Sequence, residues 1–436
     1  MSPGSRRRGR RGPLLAMVVL VLAIVAIVLA VLHKPGNVSH PHVEFTTPAT
    51  SKPAPAKPKV VVHDFLWPRY GYDAGRTRLF PNSSNLEPPF RRGWTYYGSA
   101  LLEFPPVINN NTLFVLNDSG QALAINKVNG HVLWHRTVGT LSAASPALGD
   151  GLVFVPLLAT VPGAKTADEG RFVALSQQTG HVVWSMSVPP GTESSPLVWG
   201  QTLYFGDQDG TVRAVQASTG RVRWTYKAAG AVKGGVAYAH GILYFADYDG
   251  RAYAVRASNG HQVWAVTTNG AAFGFGSGNF YSTPAVAFGR VYIGNTDGRV
   301  YSFAADTGQL AWATGTGAYV YSSPAVGNIP GLGPTVYIGS YDGNLYAFNA
   351  RSGAVRWTHD AGGRISGSPT VVGNVVYYSN LASKTTTGVN VRTGRTVFSF
   401  PEGSFNPVIA DPTAIYLTGY SDLHQLLPRR GASTAR

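Results

Sequence analysis

A glycine followed four residues later by a large aromatic recurs seven times in this chain: Gly130/Trp134, Gly180/Trp184, Gly220/Trp224, Gly260/Trp264, Gly308/Trp312, Gly353/Trp357 and Gly394/Phe398. Repetition at such a spacing means one small supersecondary unit, copied until neighbouring copies bury one another. The stretch 194–224, SSPLVWGQTLYFGDQDGTVRAVQASTGRVRW, shows the grammar of a copy. Ser-Ser-Pro opens a short apolar run, and a second run leads to Asp209-Gly210. A third follows, and Thr219-Gly220 turns into a fourth that ends on Trp224. Asp-Gly and Asn-Gly supply the positive φ of tight hairpins, and β-branched and aromatic residues fill the strands between them. Six copies keep ten residues between their two turn glycines, at 120/130, 170/180, 210/220, 250/260, 298/308 and 343/353. A constant count fixes a constant hairpin register.

First strands begin near Phe104, Ala144, Ser194, Gly234, Ser282, Ser322, Gly367 and Phe405, which makes eight. The last set lacks a fourth strand, whereas residues 91–97, RRGWTYY, read as a fourth strand with no three before it. The spacing therefore predicts an all-β, eight-bladed propeller of four-stranded antiparallel blades over residues 64–428, closed by overlap of its two ends and followed by a tail at 429–436. Such closure leaves only short edges exposed.

The unit AxxxTGxxxW, as in Ala217 to Trp224 and Ala305 to Trp312, resembles the tryptophan-docking repeat of the pyrroloquinoline quinone (PQQ) propellers. WPRYGYDAGRTRLF at 67–80 is similar to the leading segment of that superfamily. The resemblance implies a fold and leaves activity open, because the superfamily holds quinone-dependent alcohol and glucose dehydrogenases, the assembly lipoprotein of the BamB type and receptor-like propellers without chemistry. The chain resembles the BamB-type, non-enzymatic branch more than the dehydrogenases. Those enzymes hold Ca²⁺ beside the quinone with acidic and amide groups, and place an Asp base and a Trp platform at the ring. Here the stretch matching their metal-ligand region is AKTADEGRF at 164–172, where Glu169 and Asp168 stand in a different flanking pattern. No Asn-Pro-x-Pro-Trp-like segment follows blade 3, and no Trp lies in the loops leading into first strands. Ca²⁺ needs several hard oxygen ligands at short range. Neither G-x-S-x-G, H-E-x-x-H nor a P-loop occurs. No catalytic or metal residue and no cofactor is expected, with PQQ and Ca²⁺ reserved for the alternative of a divergent dehydrogenase.

Ahead of the propeller, Leu14–Leu32 is 19 residues without a charge, preceded by Arg6, Arg7, Arg8, Arg10 and Arg11. That length crosses a bilayer, and basic residues stay on the cytoplasmic side. The reading is a cytoplasmic tail at 1–13 and a single-pass signal anchor at 14–32, with the propeller outside the cytoplasm. A cleaved signal peptide is the rival, but the stretch exceeds an ordinary h-region. Residues 33–63 carry six prolines and few apolar groups, and so read as an extended, unfolded tether. His33, His40, His42 and His63 in or beside it read as solvated linker rather than a metal site. With no cysteine in the chain, lipid attachment, disulfides and thiolate metal sites are all excluded.

The net charge is +15, but the five leading arginines contribute a third of it. Basic residues of the propeller are scattered, so nucleic acid is not an expected partner. Attraction to an envelope protein or anionic polymer is a better use of such charge. In a propeller, loops entering first strands and those joining second to third strands meet on one face. Both larger inserts, 156–170 in blade 2 and TTNGAAFGFGSGNFY at 267–281 before blade 5, fall there. One residue per blade precedes the first strand at an equivalent spot: Glu103, Ala143, Glu193, Lys233, Tyr281, Tyr321, Ser366 and Ser404. This ring can hold a small polar ligand, although Glu193 and Lys233, on adjacent blades, can equally pair with each other. Phe273, Phe275, Phe280 and Tyr281 form an aromatic cluster suited either to a partner surface or to a plug over the channel. The candidate ligand residues are thus Glu103, Glu193, Lys233, Phe273, Phe275, Tyr281 and Tyr321. The expected role is a monomeric, membrane-anchored scaffold or sensor that binds a protein or envelope ligand.

Overall fold

The computed structural model describes residues 17–22, 24, 36–48, 66–80, 86–159, 170–268 and 278–429. The alternation of β-rich runs and Gly turns folds as its register demands, into eight antiparallel sheets of four repeat strands each. In blade 3, Leu197–Trp199, Thr202–Phe205, Thr211–Gln216 and Val222–Lys227 pair in sequence order. Blade 8 takes Val408–Ala410, Ile415–Thr418 and Asp422–Pro428 from one end of the chain and Phe90–Tyr97 from the other. The closing pair runs from Asp422 opposite Tyr97 to Pro428 opposite Phe90, so the expected closure is present.

Inner strands are covered by neighbouring blades on both faces and outer strands on one. Leu152–Leu157 is therefore buried along its whole length, while the outer strand Val222–Lys227 is mostly exposed. The apolar core lies between blades; Phe154 and Phe172 of blade 2 pack with Leu203, Phe205 and Val215 of blade 3.

Each docking tryptophan donates its indole N–H to a carbonyl of the next blade, as Trp184 does to Ala217 (2.8 Å) and Trp312 to Ala350 (2.9 Å). The ring lies against the turn glycine of that blade. A Cβ on Gly353 would fall 2.6 Å from Trp312 Cδ2, and its φ of +73° also favours glycine. Trp94 of blade 8 docks in the same way on Lys127 and Gly130 of blade 1. At the interface of blades 7 and 8 the aromatic is Phe398, which meets Phe90 edge-on at 5.5 Å. Blade 8 has no third-to-fourth turn there, since those strands come from opposite ends of the chain. An indole would have no glycine turn to dock on. Of these rings, Trp312 is fully buried and Trp264 is buried to 7% exposure, and Trp94, Trp134, Trp184, Trp224 and Trp357 are partly exposed.

A second set of contacts explains the Ser, Thr or Asn that stands before proline at the start of blades 2, 3, 5, 6, 7 and 8. Around the channel, Ser145 Oγ donates to Pro105 O, Ser145 N to Ser195 Oγ, Ser194 Oγ to Gly234 O and Gly235 N to Thr283 Oγ1. Thr283 N, Ser323 N and Ser368 N then donate to Ser323 Oγ, Ser368 Oγ and Asn406 Oδ1, and Asn406 Nδ2 returns to Glu103 O in blade 1. Every blade junction is bridged, and the circuit closes on itself.

The leading segment 66–80 lies against this circuit. Leu66–Trp67 pairs with the first strand of blade 1, and Leu79–Phe80 runs parallel to that of blade 7. Between them, carbonyls of Pro68, Ala74, Gly75, Thr77 and Arg78 accept from Leu148, Tyr238, Val286, Val326 and Val371 in blades 2, 4, 5, 6 and 7. Arg69 Nη2 donates to Val198 O in blade 3, and Tyr70 OH to Asn406 Oδ1 in blade 8. The segment is a belt that touches all eight blades. Arg76 is its central pin: buried, it donates to Ser195 O, Pro196 O and Val236 O at 2.9–3.0 Å and also to Tyr70 O. Burial lowers the pKa of all three arginines, that of Arg69 to about 10. Asp73 sits among them with its pKa raised by burial, opposed by hydrogen bonds from Thr77 and by the charges of Arg69 and Arg76.

Leu14–Leu32 lies mostly outside the described residues; Met17 to Leu22 is helical, and among the described residues no helix is long and apolar enough to cross a membrane. The tether is not unfolded throughout. Val38–Ser39 pairs antiparallel with Ala313 and Trp312, adding a fifth strand to the outer edge of blade 5. His40 N donates to Ala311 O, Val43 is buried, and Phe45 meets Phe288 at 5.6 Å. The Arg290 guanidinium clasps the carbonyls of Val43 and Glu44. This strap is why the outer strand Leu310–Gly315 is buried where those of the other blades are open.

Candidate functional site

The residues preceding first strands converge on the channel. Glu103, Glu193, Lys233, Tyr281, Tyr321 and Ser366 line one cavity of about 40 Å³, with Tyr70 of the belt also in its wall. That volume holds roughly three waters, at about 10–15 Å³ each. Ala143 and Ser404, the equivalents in blades 2 and 8, do not reach it. Phe273 and Phe275 lie outside the described residues. Phe280 is fully buried against Tyr301, so it serves the core and is not available to a partner. Glu169 and Asp168 also lie outside the described residues.

Glu193 is engaged on both oxygens. Lys233 Nζ lies 3.0 Å and Gln208 Nε2 2.6 Å from Oε1, and Tyr281 OH donates to Oε2 at 2.9 Å. The pairing of Glu193 with Lys233 is thus present, and the ammonium also sits 4.4 Å over the Tyr248 ring. Burial, then the charges of Glu193 and Glu103, raises the Tyr281 pKa, so its hydroxyl stays a donor. Glu103 is different, because none of the described side chains hydrogen-bonds to its carboxyl. Burial first, then the charges of Glu193 and Asp118, pushes its pKa up to about 7.

The sign of that shift makes a prediction. Folding raises the Glu103 pKa above its ordinary 4.5, so the folded state holds the extra proton and stability falls as pH rises from 4.5 through about 7. Glu103→Gln should flatten denaturant midpoints measured between about pH 5 and about pH 8. The difference should be about 1 kcal/mol after allowing for solvent screening at a half-open site. An unchanged pH profile would place Glu103 in water.

Sequence reasoning missed part of this mouth. Tyr248 and Tyr341 come from Asp-Tyr-Asp-Gly and Ser-Tyr-Asp-Gly turns between second and third strands. With Tyr281, Tyr319 and Tyr321 they form a crescent over blades 4 to 6. Ring centroids are 6.2 Å apart for Tyr248 and Tyr281, 5.7 Å for Tyr281 and Tyr321, 6.1 Å for Tyr319 and Tyr321, and 4.8 Å for Tyr321 and Tyr341. Tyr319 is 51% exposed. The arrangement offers flat apolar surface with hydroxyl handles beside an acid that has no side-chain partner among the described residues, which suits an amphipathic partner.

A profile of the family described as outer membrane protein assembly factor BamB matches residues 83–233 and 209–434. No curated protein matches. Among solved structures, BamB from Moraxella catarrhalis is 14% identical with a TM-score of 0.64, covering 79% of this chain and 99% of that one. The quinohemoprotein alcohol dehydrogenase ADHIIG from Pseudomonas putida HK5 is 13% identical with a TM-score of 0.68, covering 85% and 82%. A europium-containing methanol dehydrogenase is 13% identical with a TM-score of 0.69, covering 84% and 98%. These structural likenesses establish the propeller and include BamB as well as dehydrogenases. With the docking tryptophans, the closing blade and a profile that spans most of the sequence, this chain belongs to the PQQ-like propeller family described by BamB.

Proposed function

We propose that the chain is an extracytoplasmic binding propeller, tethered to the membrane by Leu14–Leu32, that engages a protein of the cell envelope through the mouth of its channel. The observation that carries this reading is the tyrosine crescent beside Glu103. Clustered aromatics around a small number of polar groups are the usual core of a protein-binding patch. The family, named for an outer membrane protein assembly factor, points to the same class of work.

The lining supports a cofactor-free reading. PQQ is a fused three-ring tricarboxylate, and no tryptophan lines the cavity as a platform for it. Its charge would face Glu103 and Glu193, and the one lysine in the lining is paired with Glu193. Glu193 is engaged on both oxygens by donors, so it offers no ready ligand to a metal.

Tyr319→Ser, at the exposed end of the crescent, should leave the melting temperature within about 2 °C of the parent, as surface changes do, while sharply reducing capture of envelope proteins crosslinked to the native mouth. Retained capture would move the binding face elsewhere. Bound-quinone absorbance and dye-linked dehydrogenase activity after addition of PQQ and Ca²⁺ would instead establish the enzymatic alternative.

A further inference from the structure

Away from the channel, blade 8 brings together a histidine and two carboxylates. Glu402 lies in the connection from blade 7, and Asp422 and His424 lie on the strand Asp422–Pro428. One ligand atom from each falls within 4.8 Å of the others. We propose that this cluster is a binding site for a borderline divalent transition ion such as Zn²⁺, which pins the closing blade to blade 7.

Gly419 makes the room. A Cβ there would lie 3.2 Å from the Asp422 carbonyl oxygen and 3.4 Å from both Glu402 Oε2 and His424 Nε2, and no positive φ requires glycine at this position. A side chain at 419 would therefore crowd both the backbone of the closing strand and the space bordered by the ligand atoms. His424 is fully buried and held from behind, its Nδ1 lying 3.0 Å from Thr95 Oγ1 on the N-terminal closing strand. Without a cation the ring directs an Nε2 proton to Glu402 Oε2 at 2.5 Å. With one, the Nε2 lone pair points to the ion and Nδ1–H turns to Thr95, the outer hydrogen bond that metal-bound histidines make.

Ligand separations in a tetrahedral Zn²⁺ site, with bonds of about 2.0 Å, are about 3.3 Å. The ligand atoms already lie within 4.8 Å of one another, and ion binding requires the Glu402–His424 contact to open and Asp422 to draw inward. Charge also fits. Two carboxylates face the space, and Arg92 neutralises the far oxygen of Glu402 from 3.4 Å. One imidazole nitrogen and two carboxylates favour Zn²⁺ over Ca²⁺, which takes six to eight oxygens. The location adds a reason, because the junction of blades 7 and 8 is the one where Phe398 replaces a docking tryptophan.

Full-length protein stripped with EDTA should bind Zn²⁺ by titration calorimetry. Zn²⁺, unlike Ca²⁺ or Mg²⁺, should raise the melting temperature by several degrees at saturation. Glu402→Gln and Asp422→Asn should each weaken binding by at least about tenfold, and Thr95→Val by about 10–100-fold, as loss of an outer hydrogen bond does. Gly419→Ala keeps every ligand and fills the space, so it should also abolish the thermal shift, which keeps the test open if Glu402→Gln fails to fold. No calorimetric binding to the parent would overturn the proposal. So would Zn²⁺ binding that survives Gly419→Ala and Asp422→Asn, because the ion would then sit on histidines elsewhere.

Discussion

A chain beginning at residue 98 is expected to aggregate without forming a folded propeller, while one beginning at residue 64 folds. The first truncation removes the outer strand of blade 8, which pairs with Asp422–Pro428 over most of its length. It also removes the belt, and with it Trp67, Tyr70, Arg76 and Arg78, all buried. The carbonyls of Ser195, Pro196 and Val236 lose Arg76, and each buried acceptor left without a partner costs about 1–3 kcal/mol. Those losses alone approach the whole stability of a typical domain, about 5–15 kcal/mol. The second truncation keeps belt and closure but loses the strap at 38–48, so it should melt several degrees below the full chain. Size-exclusion chromatography with circular dichroism separates the outcomes. Equal behaviour of the two truncations would refute closure by Phe90–Tyr97.

Removing docking aromatics should give a graded series rather than a uniform one. Trp312→Ala and Trp264→Ala delete buried rings and should each cost about 3–5 kcal/mol. Trp134, Trp184, Trp224 and Trp357 are partly exposed, and each should cost roughly half of that. The Trp312 ring is buried because the strap lies over its strand, so deleting residues 38–48 should bring Trp312→Ala down toward the others. Chemical denaturation of the single and combined variants measures this coupling. A flat series would mean that burial by the strap contributes nothing to the dock.

Blade number, closure and the cavity ring were legible because each is written in a repeat. Constant glycine spacing fixes register, and a constant register puts residues 103, 193, 233, 281, 321 and 366 at equivalent places around one axis. Tyr248 and Tyr341 escaped because their Asp-Gly neighbours announce a turn and say nothing of what the preceding residue faces. The belt escaped for a different reason. Its contacts are made by main-chain carbonyls and arginines to strands of all eight blades, and nothing repeats within WPRYGYDAGRTRLF to reveal them. The strap at 38–48 was hidden by composition: proline, histidine and threonine read as solvated chain, and the few apolar anchors, Val43 and Phe45, are too sparse to form a period. Phe280 reads from sequence as either a partner surface or a plug over the channel, because its glycine-rich neighbours obscure where blade 5 begins, and the structure buries it against Tyr301.

The belt also sets a timetable for synthesis. Its fourteen residues from Trp67 leave the ribosome before any blade exists, yet their final bonds are to Asn406 and Val371, made near the end of the chain. Arg69 and Arg76 must therefore stay in water until Val198, Ser195 and Val236 of blades 3 and 4 are made, and Tyr70 must wait until Asn406, more than 300 residues later. Contacts so distant in sequence slow folding. A nascent chain that stalled before blade 8 would present finished blades around an open axis, with the belt still searching for its last partners.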